Sequence, residues 1–138
     1  MNHRVLVVED NLLNRELLCD WLEAEGYAAT AAETLREAFA AFADQAPEIV
    51  LLDVQLGAED GLAFAAWIRS DAEFRSVPVI AVTAHAMVTD QQRVMQAGCN
   101  ACVSKPIDFK QLRSHLQACL SFPAKFDFPS RLCPESRS

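Results

Sequence analysis

The chain has 138 residues, enough for one domain with a proper core. Hydrophobic residues make up 51 % and charged residues 22 %, the balance of an ordinary globular domain. With 12 basic and 19 acidic residues the net charge is −7; no Lys/Arg cluster offsets it, which disfavours direct nucleic-acid binding.

No apolar run approaches the roughly 20 residues that span a bilayer. The first, Val5-Leu-Val-Val8, is also too short for a secretory leader, so a cytoplasmic location without membrane contact is expected. Five cysteines (Cys19, Cys99, Cys102, Cys119 and Cys133) are odd in number and irregular in spacing, unlike a disulfide framework. Cys99 and Cys102 form a lone CxxC. With no second pair, and only His85 and His115 nearby, two small buried thiols are the simpler expectation.

In chain order, Val5–Val8 is a short buried strand that ends in Glu9-Asp10-Asn11, and Asn11 can cap the helix that follows. That helix carries Leu13, Leu17 and Trp21, with Leu18 and Leu22 beside them, and Gly26 stops it. Tyr27–Ala31, rich in alanine, suits a sheet edge. Thr34 caps a second helix with Leu35, Ala38, Phe39 and Phe42 on one side. Ile49-Val-Leu-Leu-Asp53 then runs four apolar residues into one carboxylate, which predicts a central strand buried on both faces. A loop from Val54 to Gly61 leads to a helix over Leu62–Arg69, and Ser70–Ser76 is a polar turn.

Val79–Val82, opened by Pro78, is another strand and ends at Thr83. Thr89–Ala97 is helical but polar, with Val94 and Met95 its main apolar residues, and Gly98 ends it. Ala101–Val103 is a last short strand ending in Ser104-Lys105-Pro106. Phe109, Leu112, Leu116 and Leu120 repeat at helical spacing, and the periodicity stops after Ser121. Strand and helix thus alternate five times. This predicts an α/β fold, a doubly wound five-stranded parallel sheet of order 2-1-3-4-5, flavodoxin-like (βα)5. Residues 1–121 form the domain, and 122–138 are expected to be a flexible C-terminal tail.

In that order the carboxyl ends of strands one and three are neighbours and gather Glu9, Asp10 and Asp53. Three carboxylates in one crevice repel each other unless a cation neutralises them, and all-oxygen ligands suit Mg²⁺. Asp10 and Asp53 are the expected direct ligands, the backbone carbonyl of Gln55 a further one, with Glu9 acting through water. Thr83 and Lys105 end at the same rim and supply a hydroxyl and a fixed cation. Such a site can hold a phosphoryl group, with Asp53 as the nucleophile that forms an aspartyl phosphate.

Glu9-Asp10-Asn11, Asp53, Thr83-Ala84 and Lys105-Pro106, each at a strand end, resemble the receiver domain of two-component response regulators over about residues 4–121. The likeness extends to stand-alone DivK-type regulators and to hybrid-kinase receivers. It implies that Asp53 takes phosphate from a histidine kinase or histidine phosphotransfer protein, that Mg²⁺ is the cofactor, that Thr83 moves toward the phosphoryl group and that Lys105 pairs with it. It implies a cis Lys105–Pro106 bond. It implies a signalling protein rather than an enzyme, acting on a downstream protein target as a monomer or weak homodimer.

Two positions depart from the pattern: Cys102 stands where a Tyr or Phe is usual, and Gly57 where a proline is common. A constitutive, non-phosphorylated receiver-like interaction module is the alternative. An aspartate-nucleophile phosphatase would need a second acid where Gln55 stands. His85 lies near the pocket, and Leu12, Leu13 and Asn14 are candidates for a kinase-docking surface, although Leu13 alone would suit the core.

Overall fold

The computed structural model describes residues 3–57, 59–84 and 88–121, for 88–90 and 121 as backbone alone. The 122–138 tail and His85 lie outside the described residues. Among the described residues, seven strands and five helices follow in the order β1 (Arg4–Val8), α1 (Leu12–Ala24), β2 (Ala28–Ala32), α2 (Leu35–Asp44), β3 (Ile49–Asp53), β4 (Gln55–Leu56), β5 (Glu59–Asp60), α3 (Leu62–Ser70), β6 (Val79–Thr83), α4 (Val88–Gln96), β7 (Ala101–Ser104) and α5 (Phe109–Ser121).

Five of the strands form one parallel sheet in the order β2-β1-β3-β6-β7. Counting those five alone, this is the expected 2-1-3-4-5 arrangement. The reason is visible in burial. Every residue of β3 and of β6 is buried, whereas β2 has two exposed positions and stands at the edge. The β4–β5 antiparallel hairpin is an addition; the sequence there reads only as a loop.

Alternate strand residues feed two separate cores. Leu6, Val8, Val50 and Leu52 pack with Phe42 of α2, Phe64 and Ile68 of α3 and Val94 of α4. Val5, Val7, Ile49 and Leu51 pack with Leu18 and Leu22 of α1 and Leu112 and Leu116 of α5. On the α2–α3 side five rings, Phe39, Phe42, Phe64, Trp67 and Phe74, form a cluster with centroid separations from 4.9 to 5.9 Å. On the other side Trp21 packs on Phe109 at 4.9 Å.

Both caps expected from the sequence are present. The backbone N–H of Asn14 donates to Asn11 Oδ1, and that of Glu37 to Thr34 Oγ1. The buried face of α1 differs from the expectation. Leu18 and Leu22 meet the sheet, while Leu13 is 75 % and Leu17 54 % exposed. The six leucine and tryptophan positions of this helix spread over more than one face, and the neighbouring strands select only one of them.

Arg69 ties the far end of the molecule together. Its guanidinium donates to the carbonyls of Gly98, Arg75 and Val77 and to Asn100 Oδ1, at 2.6 to 3.0 Å. Asn100 Oδ1 also accepts from the N–H of Val79, so one arginine joins α3, the turn after it and the starts of β6 and β7.

Candidate functional site

β1 and β3 are adjacent and in register, Val8 beside Leu52, so the residues just beyond them converge. Asp53 is 4 % exposed and Glu9 2 %. The Glu9 N–H donates to the Ala32 carbonyl, and Glu9 Oε2 accepts from the N–H of Asn11 at 3.1 Å. Asp53 Oδ1 accepts from the N–H of Gln55 at 3.0 Å. Both carboxylates are therefore held by the turns that immediately follow their strands.

Lys105 arrives from the end of β7. Its backbone N–H donates to the Thr83 carbonyl at 2.8 Å, which continues the β6–β7 pairing and brings the lysine to the carboxyl end of β3's neighbour. Its Nζ donates to Asp53 Oδ2 at 3.2 Å and lies 3.5 Å from Glu9 Oε1. The Lys105–Pro106 bond is cis, as expected. Thr83 is buried at the end of β6, directly opposite Ser104. The structure thus brings Glu9, Asp10, Asp53, Thr83 and Lys105 to one rim, with Gln55 joined to Asp53 through its backbone.

The electrostatics follow from crowding. Burial pushes the Glu9 carboxyl up to about 7; the Asn11 N–H opposes this and the neighbouring Asp53 adds to it. Burial alone would lower the Lys105 ammonium, but the facing Asp53 and Glu9 outweigh that and hold it above its ordinary value. One lysine does not neutralise three acids.

Glu9, Asp10 and Asp53 each offer a carboxylate oxygen, and these oxygens lie within 4.8 Å of one another. Among the described residues this is the only group of three or more His, Cys, Asp or Glu side chains that could hold a metal ion. An all-oxygen donor set of this kind fits a hard divalent cation. Cys99 and Cys102 belong to no such group. They are reduced, buried thiols in the core on the α4 side, as the simpler expectation had it, and Cys102 packs there where a Tyr or Phe is usual.

Gly57 has a concrete reason to be glycine. Its φ is +56°, in the left-handed region closed to proline, and it turns the chain between β4 and β5. A Cβ on it would stand 3.5 Å from Asp10 Oδ2. The site also has a brace that the motif reading missed. Arg15 Nη1 donates to the carbonyls of Glu9 and Asp10 at 3.0 and 3.3 Å, fixing the acidic turn from the first turn of α1. Only its spacing after the two acids could have pointed to it.

A parallel sheet whose carboxyl edge gathers acids, a threonine and a lysine defines a receiver-type switch domain. Residues 5–117 match the family model described as response regulator receiver domain, and the chain belongs to that family. It is a receiver of two-component signalling, a signalling domain and not a classical enzyme. More particularly it is DivK-like: it is 43 % identical over 107 residues to the polar-differentiation response regulator DivK of Brucella ovis, an alignment covering 78 % of this chain and 87 % of that protein.

Among solved structures, the receiver domain of a signal transduction histidine kinase from Syntrophus aciditrophicus is 29 % identical, with a TM-score of 0.79 over 86 % of this chain and 90 % of that one. The receiver domain of NtrX from Brucella abortus is 27 % identical, with a TM-score of 0.79 over 86 % and 99 %. The chemotaxis regulator CheY4 of Vibrio cholerae, 23 % identical, shares the fold with a TM-score of 0.80 over 86 % and 99 %. No helix among the described residues is long and apolar enough to cross a membrane.

Proposed function

We propose that this receiver is the phosphoacceptor of a two-component phosphorelay, with Asp53 as the residue that takes the phosphate. The observation that carries this reading is the Lys105 ammonium set between Asp53 and Glu9 at the joined ends of β1 and β3. A phosphoryl group requires that geometry, a carboxylate nucleophile beside a fixed cation. The receiver unit is residues 1–121, followed by a tail over 122–138.

An Asp53 oxygen attacks the phosphorus of a phosphohistidine on a kinase or phosphotransfer protein. The O–P bond forms as the N–P bond breaks, and the imidazole leaves and takes up a proton. Lys105 turns from the carboxylate toward the new phosphoryl oxygens, and the Thr83 hydroxyl donates to one of them. Water later cleaves the acyl phosphate and restores the carboxylate.

Mg²⁺, the cofactor of this reading, would be held by Asp10, Asp53 and the Gln55 carbonyl, with Glu9 through water, and would neutralise charge on the carboxylates and the phosphoryl oxygens. Thr83 and Lys105 lead directly into α4 and α5, so their response biases the α4–β7–α5 surface and, through it, binding to a downstream protein or self-association. Leu12 and Leu13, 55 % and 75 % exposed beside the site, suit a surface for the phosphohistidine donor.

Intact-mass measurement after incubation with acetyl phosphate and Mg²⁺ tests the reading. One phosphoryl adduct that requires Mg²⁺ and is lost in Asp53→Asn is expected. No adduct from acetyl phosphate or from a phosphohistidine protein, together with no Mg²⁺ binding, would instead identify a constitutive interaction module.

A further inference from the structure

The outer surface of α2 and α3 lies apart from the phosphoacceptor site. Phe39, Ala40 and Ala43 of α2 are exposed there, and so are Ala63 and Ala66 of α3. Phe39, at 37 %, is the only exposed large hydrophobic side chain outside α1 among the described residues. Its ring spans the seam between the two helices, 4.9 Å from Trp67 and 5.3 Å from Phe64. The rings beneath it fix its position, so covering it sacrifices little side-chain freedom.

Charge on this face is sparse and ordered. The chain has 19 acids and 12 bases, yet the exposed stripe Arg36-Ala40-Ala43-Asp44 carries one charge of each sign, one at either end. Neither the Arg36 nor the Asp44 side chain has a hydrogen-bond or ion-pair partner among the described residues. The neighbouring acids are engaged: Glu37 accepts from the Glu33 N–H at 2.7 Å and Glu59 from the Leu35 N–H at 3.2 Å. At about 1.5 Å per residue the two free charges lie about 12 Å apart along the helix, with Ala40 midway. A second α2 laid antiparallel across Ala40 sets each Arg36 against the other copy's Asp44 and puts the smallest side chains at the closest approach.

We propose that two copies of this chain associate through this face, α2 antiparallel on α2 about a two-fold axis at Ala40, with the Phe39 ring of each copy against the alanines of the other. Charge complementarity selects this occupant. A uniformly basic or uniformly acidic partner would leave Arg36 or Asp44 facing its own sign, whereas a second copy pairs both. The net charge of −7 on each copy acts mostly from beyond the roughly 8 Å over which physiological salt screens, while the facing pairs meet directly. The face is about 15 Å long and two helices wide, at the small end of specific interfaces, so the dimer is weak and reversible. α1 and α5 lie on the other side of the sheet, so pairing leaves the exposed leucines of α1 uncovered.

Sedimentation velocity on the full chain tests this without any phosphodonor. The average mass is expected to rise from one chain toward two between about 2 µM and about 1 mM. Arg36→Glu and Asp44→Arg each oppose like charges and are expected to weaken dimerisation at least about tenfold. An equimolar mixture of these two variants restores it to within about threefold of the parent, because every facing pair is again of opposite sign. Both positions are exposed on the helix surface, so the variants keep the fold. Ala40→Lys, which sets two ammonium groups at the axis, is expected to weaken the dimer as well. A single-chain mass at every concentration would overturn the proposal. So would a dimer that the variants leave unchanged, or two weakened variants that mixing does not rescue, either of which assigns association to another face. Failure of Asp53 to accept phosphate would leave these results standing.

Discussion

Lys105 stabilises a crevice that its own surroundings make unfavourable. Removing it leaves Glu9 and Asp53 buried beside Asp10 with no compensating charge. Lys105→Met is therefore expected to lose about 1–2 kcal/mol of stability in Mg²⁺-free urea melts, moderated by the lysine's 26 % side-chain exposure. Asp10→Asn should move the other way, gaining about 1 kcal/mol without Mg²⁺ while losing the Mg²⁺-dependent gain of the parent chain. If both substitutions destabilised equally without the cation, crowded acids would not be the cost that the site bears. The main residues of this site were legible in the sequence because each one ends an apolar run. Arg15 was not, since its role depends on backbone carbonyls that only the folded turn presents.

Between the strands and the helices, the segment after Asp53 is tightly constrained at Gly61. The Gly61 N–H donates to the Val54 carbonyl, and a Cβ on Gly61 would stand 2.2 Å from the Asp53 carbonyl oxygen. Backbone cannot yield as a flexible side chain can, so Gly61→Ala is expected to cost about 3 kcal/mol in denaturant unfolding and to weaken Mg²⁺ binding. Gly26→Ala, with nothing within 4 Å of the added Cβ but φ at +94°, should cost about 1 kcal/mol and leave Mg²⁺ binding unchanged. Element boundaries were read to within a residue or two because caps and glycines mark them. The β4–β5 hairpin was not legible, being two residues on each side with no period to detect. The misassigned face of α1 has a related cause: apolar residues at an interaction surface carry the same spacing as those in a core.

At the scale of the molecule, the sheet order followed from strand composition alone, while the distribution of polar groups within the two layers did not. His115 illustrates this: it lies in the buried stripe of α5 with Leu112, Leu116 and Cys119, and its Nε2 has no partner among the described residues. Burial lowers its pKa, so below about 6.5 the unfolded chain binds a proton that the folded chain resists. Its neutral form supports stability above that pH, and the contribution is lost as pH falls toward the lower folded value. Relative to His115→Gln, the parent chain is expected to lose about 1 kcal/mol between pH 7.5 and 5.5 in urea melts. Parallel curves for the two chains would exclude the linkage. Glu9, whose raised pKa pulls in the opposite sense over the same range, is common to both chains and cancels.

The two tryptophans stand on opposite sides of the sheet, Trp21 against Phe109 with the Arg113 guanidinium 5.8 Å from its ring, and Trp67 within the five-ring cluster. Each layer of the molecule therefore carries its own native fluorophore. A chain with Trp67→Phe emits from the α1–α5 side alone, and one with Trp21→Phe from the α2–α3 side. The colour and intensity of that light, followed in real time and without any attached dye, would tell which half of the protein responds first when its site is filled.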